Sequence, residues 1–339
     1  MTGAAEGDWF AGERAEELRG LLRLKRPLVH GRGQDYAALE KLWRYAYQSV
    51  LRAQSEEHPV LLTEALGGPR SHRERCAELL FETFRVPALC VTPAPVLALY
   101  AAGRTTGLVL DVGEGVAQSV PVVEGFVVPH AVARQDVAGA QVTEQLARLL
   151  ARAGHLFSTT AELEVVREMK EAACYVAADA AAEEDRAALT AHNRAAPGSP
   201  WGAYRLPDGA VVDLGPERFR APEVLFRPDL VGDEGLGVHA MVAASVARAD
   251  IDLRAPLYAG VLLAGGSTRL PGFGQRLLAE LRRLAPADTK VRIMAPQERA
   301  ISAWIGGSLL ASLSTFRKMW VTKQEYEQYG AGVLQRKFF

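Results

Sequence analysis

The sequence predicts an α/β protein with mixed sheets in two lobes. Three observations carry this. The chain of 339 residues is long enough to bury two cores. Its centre reads as a meander of short strands followed by helical stretches. Further on, an apolar run enters a glycine turn and leaves it as a helix, the pattern of a strand–turn–helix unit.

The elements follow in order. Residues 1–18 are acidic and Gly/Ala-rich without an apolar period, and read as a loose lead-in. Leu39, Leu42, Trp43, Ala46 and Val50 recur at helical spacing. Pro59–Leu62 reads as a short buried strand. Ser71 with Glu74 forms a capping-box pattern opening a helix towards Phe84. Gly107–Val112 is an apolar run, then a tight turn, then strands over Val116–Val123 and Phe126–Val128. Helices are predicted over Ala138–Ala153, ending at Gly154, and from about Thr160 to Ala182. Ala195–Pro200 is a Pro/Gly/Ser loop. Tyr258–Ala264 reads as a buried strand, Phe273–Leu284 as a helix, Val291–Met294 as a strand and Ala300–Leu313 as a small-residue helix.

Bulk properties narrow the function classes. Hydrophobic residues make up 49%, charged residues 23%, and the formal net charge is −1. Such a balance argues against a general nucleic-acid or membrane-surface binder, and no apolar stretch is long enough to span a bilayer. The first residues lack the apolar core of a signal peptide. Cys76, Cys90 and Cys174 are far apart and odd in number, which reads as reduced thiols. The histidines show no ligand spacing, so no structural metal is expected.

Two glycine turns could hold a phosphate. In Asp111-Val112-Gly113-Glu114-Gly115, glycines would let backbone N–H groups approach an anion, and the leading aspartate could hold the water shell of a magnesium ion. Taken alone, a motif this short reads more readily as a plain hairpin turn. In Leu263-Ala264-Gly265-Gly266-Ser267 a strand feeds a helix whose N–H groups would favour negative charge. Sequence spacing does not show whether the two turns face each other. Arg167, Lys170 and Glu171 share one helix side, and read either as nucleotide contacts or as a solvated charged face.

Several strings resemble actin. They include Glu57-His58-Pro59-Val60-Leu61-Leu62-Thr63-Glu64-Ala65, Leu80-Phe81-Glu82-Thr83-Phe84, and Leu99-Tyr100-Ala101-Ala102-Gly103-Arg104-Thr105-Thr106-Gly107. Leu206-Pro207-Asp208-Gly209 and Glu217-Arg218-Phe219-Arg220 are others. The strongest block is Trp304-Ile305-Gly306-Gly307-Ser308, Leu310–Phe316, and Met319-Trp320 through Tyr326. The resemblance runs from about Arg19 to Phe339, with an extra stretch near Glu183–Ser199. It implies the actin-like ATPase fold, two lobes of RNase H-like type around a Mg-ATP cleft, with the first lobe incomplete. That lobe would take residues 19–101 and 302–339. The second would take 102–301, with its outer subdomain at about 138–233. The chain would cross between them near Ala94–Ala101 and Ala300–Trp304. By motif match, Asp111, Gly113, Glu114 and Gly115 fall on a phosphate loop, Asp111 being a weak, indirect magnesium position. Gly139, Arg167, Lys170 and Glu171 fall on the sugar and base side, and Gly265 and Gly266 on the third nucleotide turn.

The departures from the family pattern are as informative. Nothing in residues 1–18 matches the opening phosphate hairpin of actins, so that loop and the polymer-contacting loop are expected to be missing. Strands near Pro59–Leu62 and Leu89–Val91 would then lose neighbours. Another chain, the lead-in, or a lacking first segment would account for the open edge. The glutamine that orients the attacking water falls on Ala94, and the assisting histidine on Gln118. The loop's serine is Val112, a base-stacking lysine is Ala300, and the pair after the third turn is Arg269-Leu270. Each lost orienting group typically costs a factor of roughly 10²–10⁴.

The resemblance also implies a partner groove. Its positions fall on Tyr100, Gly103, Thr105, Gly125, Leu310, Leu313, Thr315 and Met319, a seat for an amphipathic helix of the actin-binding type. The same residues also read as core packing. The loop matching Leu230–His239 carries Asp233 and Glu234, so ordinary self-filaments are not expected. The resulting expectation is a non-catalytic interaction protein of the cytoplasm and cytoskeleton. It would bind ATP or ADP with magnesium weakly and protein partners at the groove, without direct nucleic-acid or membrane contact. An ATP-hydrolysing actin-type protein and a nuclear subunit of a larger complex are the alternatives.

Overall fold

The computed structural model describes residues 9–191 and 201–338. Two sheets organise it. The smaller holds three strands: β1 (Val60–Glu64), β2 (Ala88–Pro93) and a short C-terminal strand (Val321–Thr322). β2 lies in the middle, parallel to β1 and antiparallel to the C-terminal strand. The expected loss of neighbours therefore does not hold for Leu89–Val91, which is paired on both sides. It holds for β1, whose far edge pairs with no strand among the described residues.

The larger sheet has six strands. Its centre is β3 (Gly107–Val112), antiparallel to β4 (Ala117–Val123) and parallel to β5 (Val261–Ala264). β3 is apolar on both faces because both are covered. Leu108, Leu110 and Val112 enter a large core with the helices Gly139–Arg152, Val238–Arg248 and Phe273–Leu284. Val109 points the other way, into a second core with Val96, Ala98 and Leu99 of helix α1 (Ala94–Ala101). A third core joins Leu80, Phe81, Leu89 and Val91 to Phe316, Val321 and Leu334, tying the C-terminus to the small sheet.

The lobes meet where α1 crosses helix α2 (Ser302–Ser312). The crossing is close because Gly306 has no side chain: a Cβ there would run into the Leu97 carbonyl. The segment Ala94–Ala101 is α1, and Ala300–Trp304 runs into the start of α2.

Several expectations need correction. The lead-in is not wholly loose: Glu13–Glu17 is a short helix, and Lys41 sits over the Trp9 ring. Ser71 and Glu74 form no capping box; the helix starts at Arg70 after Pro69, without a side-chain cap. Tyr258 ends a helix (Ile251–Tyr258), and the strand begins only at Val261. The predicted helix from Thr160 to Ala182 is two helices, Thr160–Ala173 and Ala180–Thr190. Between them the chain is drawn out by distant partners. Tyr175 donates its N–H to the Arg218 carbonyl at 3.1 Å, and Val176 donates to Pro271 at 2.8 Å. Cys174, Val176 and Ala177 are buried there, which outweighs local helix propensity. The Ala195–Pro200 loop lies within 192–200, outside the described residues.

Candidate functional site

The two glycine turns face each other, and strand pairing is the reason. β3 and β5 are parallel neighbours with Asp111 opposite Ala264. Their turns therefore leave the same edge of the sheet, at the carboxyl ends where α/β sheets hold ligands. The Ser267 hydroxyl donates to the Gly113 carbonyl at 2.8 Å, tying one turn to the other. Gly265 has φ +85°, and a Cβ would strike the Val112 carbonyl and the Asp111 carboxylate. Only glycine suits that position.

The first turn is held from its other side by the helix Gly139–Arg152. Gly139 donates to the Gly113 carbonyl at 3.0 Å, and Ala140 donates to that of Glu114 at 2.7 Å. Gly113 and Gly115 do not use left-handed backbone. The absence of a side chain at Gly115 serves a different purpose. A Cβ would lie 3.0 Å from the His30 backbone nitrogen, where a small hairpin (Leu28–Val29 with Arg32–Gly33) closes over the turn. The His30 ring Nδ1 lies 2.8 Å from the Gly115 carbonyl oxygen.

Between the turns lies a cavity of about 800 Å³. Asp111, Gly113, Glu114, Arg167, Lys170, Glu171, Gly265 and Gly266 line it, together with Ala300 and Arg269. The structure thus brings together almost every predicted nucleotide position. Gly115 sits behind the turn, and Gly139 touches the cavity through its neighbours, its carbonyl accepting from Lys170 Nζ at 3.0 Å. Burial pushes the Asp111 carboxyl up to about 6.

Arg26 and Arg299 also line the cavity and were not foreseen from sequence. Arg26 donates to Glu114 Oε1 at 2.7 Å and to Glu164 Oε1 at 2.6 Å. Glu164 Oε2 in turn accepts from Arg167 at 2.6 Å, and Arg167 also donates to Glu171 at 2.9 Å. Lys170 approaches the other oxygen of Glu114 at 3.4 Å. The result is one chain of ion pairs, Glu171–Arg167–Glu164–Arg26–Glu114–Lys170, along one wall of the cavity. Burial opposes the Arg26 and Arg167 charges, but the carboxylate hydrogen bonds outweigh it and hold both above their ordinary values. Glu164 is held low by the same partners against its own burial. Arg26 was illegible because its partners lie 88 and 138 residues away.

The two positions onto which the resemblance would place water-orienting groups are Ala94 and Gln118. Ala94 opens α1 and carries no polar side-chain atom. Gln118 is buried, its amide donating to the Leu66 carbonyl at 2.7 Å.

The family model for actin matches residues 2–339. The chain belongs to the actin family. A relative, an actin-like protein of Neurospora crassa, is 50% identical over 339 residues, covering all of this chain and 88% of the relative. The α/β architecture is the family's fold.

The groove positions of this actin-family chain lie near the α1–α2 crossing. Gly125 donates to the Thr105 carbonyl at 2.8 Å and packs on the Tyr100 hydroxyl. Gly103, Thr105, Leu313, Thr315 and Met319 are exposed. Leu310 packs against the first-lobe core, as the packing reading had it. Trp304, 72% exposed, and Leu309 add apolar surface on α2 that the sequence reading left out. The three cysteines are buried and free. Among the described residues no helix is long and apolar enough to cross a membrane.

Proposed function

We propose that this actin-family chain is a non-catalytic interaction protein whose cleft binds ATP or ADP only weakly. The continuous ion-pair chain along the cleft is the main support. Hydrolysis needs a positioned water and a side chain able to orient it or take its proton. Glu114 and Glu171 are committed to cations. Gln118 is tied to Leu66, and the Ser267 hydroxyl donates to Gly113. Ala94 and Ala300 offer nothing. The exposed apolar residues on α2 and in the following turn suit an amphipathic helix from a protein partner. Asp233 and Glu234, exposed on their loop, disfavour ordinary self-filaments. Cytoplasm and cytoskeleton are the compartments this reading implies.

Phosphate release from excess Mg-ATP tests the catalytic part. The expected result is release no faster than the buffer blank over hours. Steady release that disappears in Asp111→Ala would overturn the reading.

A further inference from the structure

The acids of this cleft do not suit a magnesium ion, although the family implies one. Magnesium takes hard oxygen ligands in near-octahedral geometry, commonly one or two free carboxylates with water and ligand phosphates. Both oxygens of Glu114 already face cations: Oε1 accepts from Arg26 at 2.7 Å, and Oε2 lies 3.4 Å from Lys170 Nζ. Glu171 is paired with Arg167. Only Asp111 remains, one carboxylate pressed against Gly265. Among the described residues no group of three His, Cys, Asp or Glu side chains could hold a metal.

Positive charge is plentiful. Arg26, Arg167, Lys170, Arg269 and Arg299 all line the cavity. Arg269 and Arg299 take part in no ion pair among the described residues. Arg299 spends its donors on the Pro296 and Thr268 carbonyls, at 2.7 and 3.3 Å. It is held below its ordinary value by burial and then by the like charge of Arg269. Neither cation is matched by a carboxylate among the described residues.

Arg26 is also held in place. Its segment is pinned to the second lobe on both sides. Leu24 donates its N–H to Thr160 Oγ1 at 3.1 Å, Arg19 pairs with Glu168 at 2.5 Å, and His30 meets Gly115 at 2.8 Å. The Arg26 side chain is half exposed, at 50%. Its two terminal nitrogens hold Glu114 and Glu164 with one N–H each, and the remaining N–H groups of the guanidinium can turn to a phosphate.

We propose that Arg26 stands in for the divalent cation, so that the cleft binds a polyphosphate anion free of metal. Arg26 neutralises Glu114 from within the chain, and the surplus arginines offset the ligand's charge. Bound magnesium lowers the ligand's negative charge and finds no free carboxylate pair, so it weakens binding. This rests on the reading of the cavity as a nucleotide cleft.

The test is calorimetric titration of the purified chain with ATP, in EDTA and again with excess magnesium. The wild type, Arg26→Gln and Arg26→Lys are compared. Metal-free ATP is expected to bind the wild type about tenfold more tightly than Mg-ATP. Arg26→Gln should lose about tenfold in EDTA and most of its sensitivity to magnesium, while Arg26→Lys keeps much of both. Circular dichroism and melting of the same samples separate lost binding from lost folding. A magnesium requirement in the wild type overturns the proposal, as does unchanged affinity of a folded Arg26→Gln in EDTA. Binding in neither condition overturns it as well. Phosphate release from Mg-ATP would strike instead at the non-catalytic reading, so the two failures are distinguishable.

Discussion

The two sheets of this molecule solve the same packing problem unequally. In the larger sheet β3 and β5 are flanked on both sides and covered on both faces. In the smaller, among the described residues, only β2 is enclosed, and β1 is half-buried with an open edge. The turns that line the cavity grow from the enclosed pair. A turn that must hold a carbonyl or carboxylate to within a fraction of an ångström needs strands that cannot shift, and burial on both faces supplies that. The smaller sheet tolerates an edge among the described residues.

Three experiments sharpen or break this comparison. The largest effect is expected at Glu223, deep in the second lobe. It takes both Arg276 nitrogens, at 2.9 and 3.0 Å, while Arg276 also donates to the Ala177 carbonyl at 3.0 Å. Both side chains are about nine-tenths buried. Glu223→Ala leaves this buried cation with Glu280 alone, paired to its Nε at 2.7 Å, and should cost about 3–5 kcal/mol in denaturant unfolding. A loss under about 1 kcal/mol would mean that water or a rearranged partner enters this region readily.

Next comes a paired truncation. Leu110→Ala, at a wholly buried position of β3, should cost about 3 kcal/mol. Leu62→Ala, half-buried on β1, should cost about 1 kcal/mol, in proportion to the area it hides. Equal losses would refute the contrast between the sheets.

The smallest effect is a pH dependence. Burial raises the Asp111 carboxyl to about 6, above its value in the unfolded chain. The folded state then holds the proton more tightly. Its advantage is full below the unfolded value and is lost as pH rises through about 6. Asp111→Asn should therefore flatten the stability profile between about pH 4 and 6 and add about 1–2 kcal/mol at pH 7. Unfolding curves collected across that range check it, and parallel profiles for the two proteins would contradict the assignment.

Legibility followed the distance between partners. The strand Gly107–Val112 and the helix Phe273–Leu284 have the predicted bounds, because their apolar patterns are local. The break after Ala173 was not legible. Nothing in an Ala/Glu-rich run announces that Arg218 and Pro271 will take its backbone N–H groups. For Gly115 the sequence suggested an open phosphate turn, whereas its small size makes room for the hairpin at His30.

The sequence by itself determined the alternation of elements, both glycine turns and the actin resemblance. These are properties of single positions or short strings. Only the tertiary structure decided that the turns converge, that Glu114 is neutralised by Arg26, and that the charged face of the helix Thr160–Ala173 belongs to the cleft wall. The reason is physical: ion pairs and parallel strand pairing join residues far apart in the chain. Local periodicity records which face of a segment is buried, but not what is buried against it.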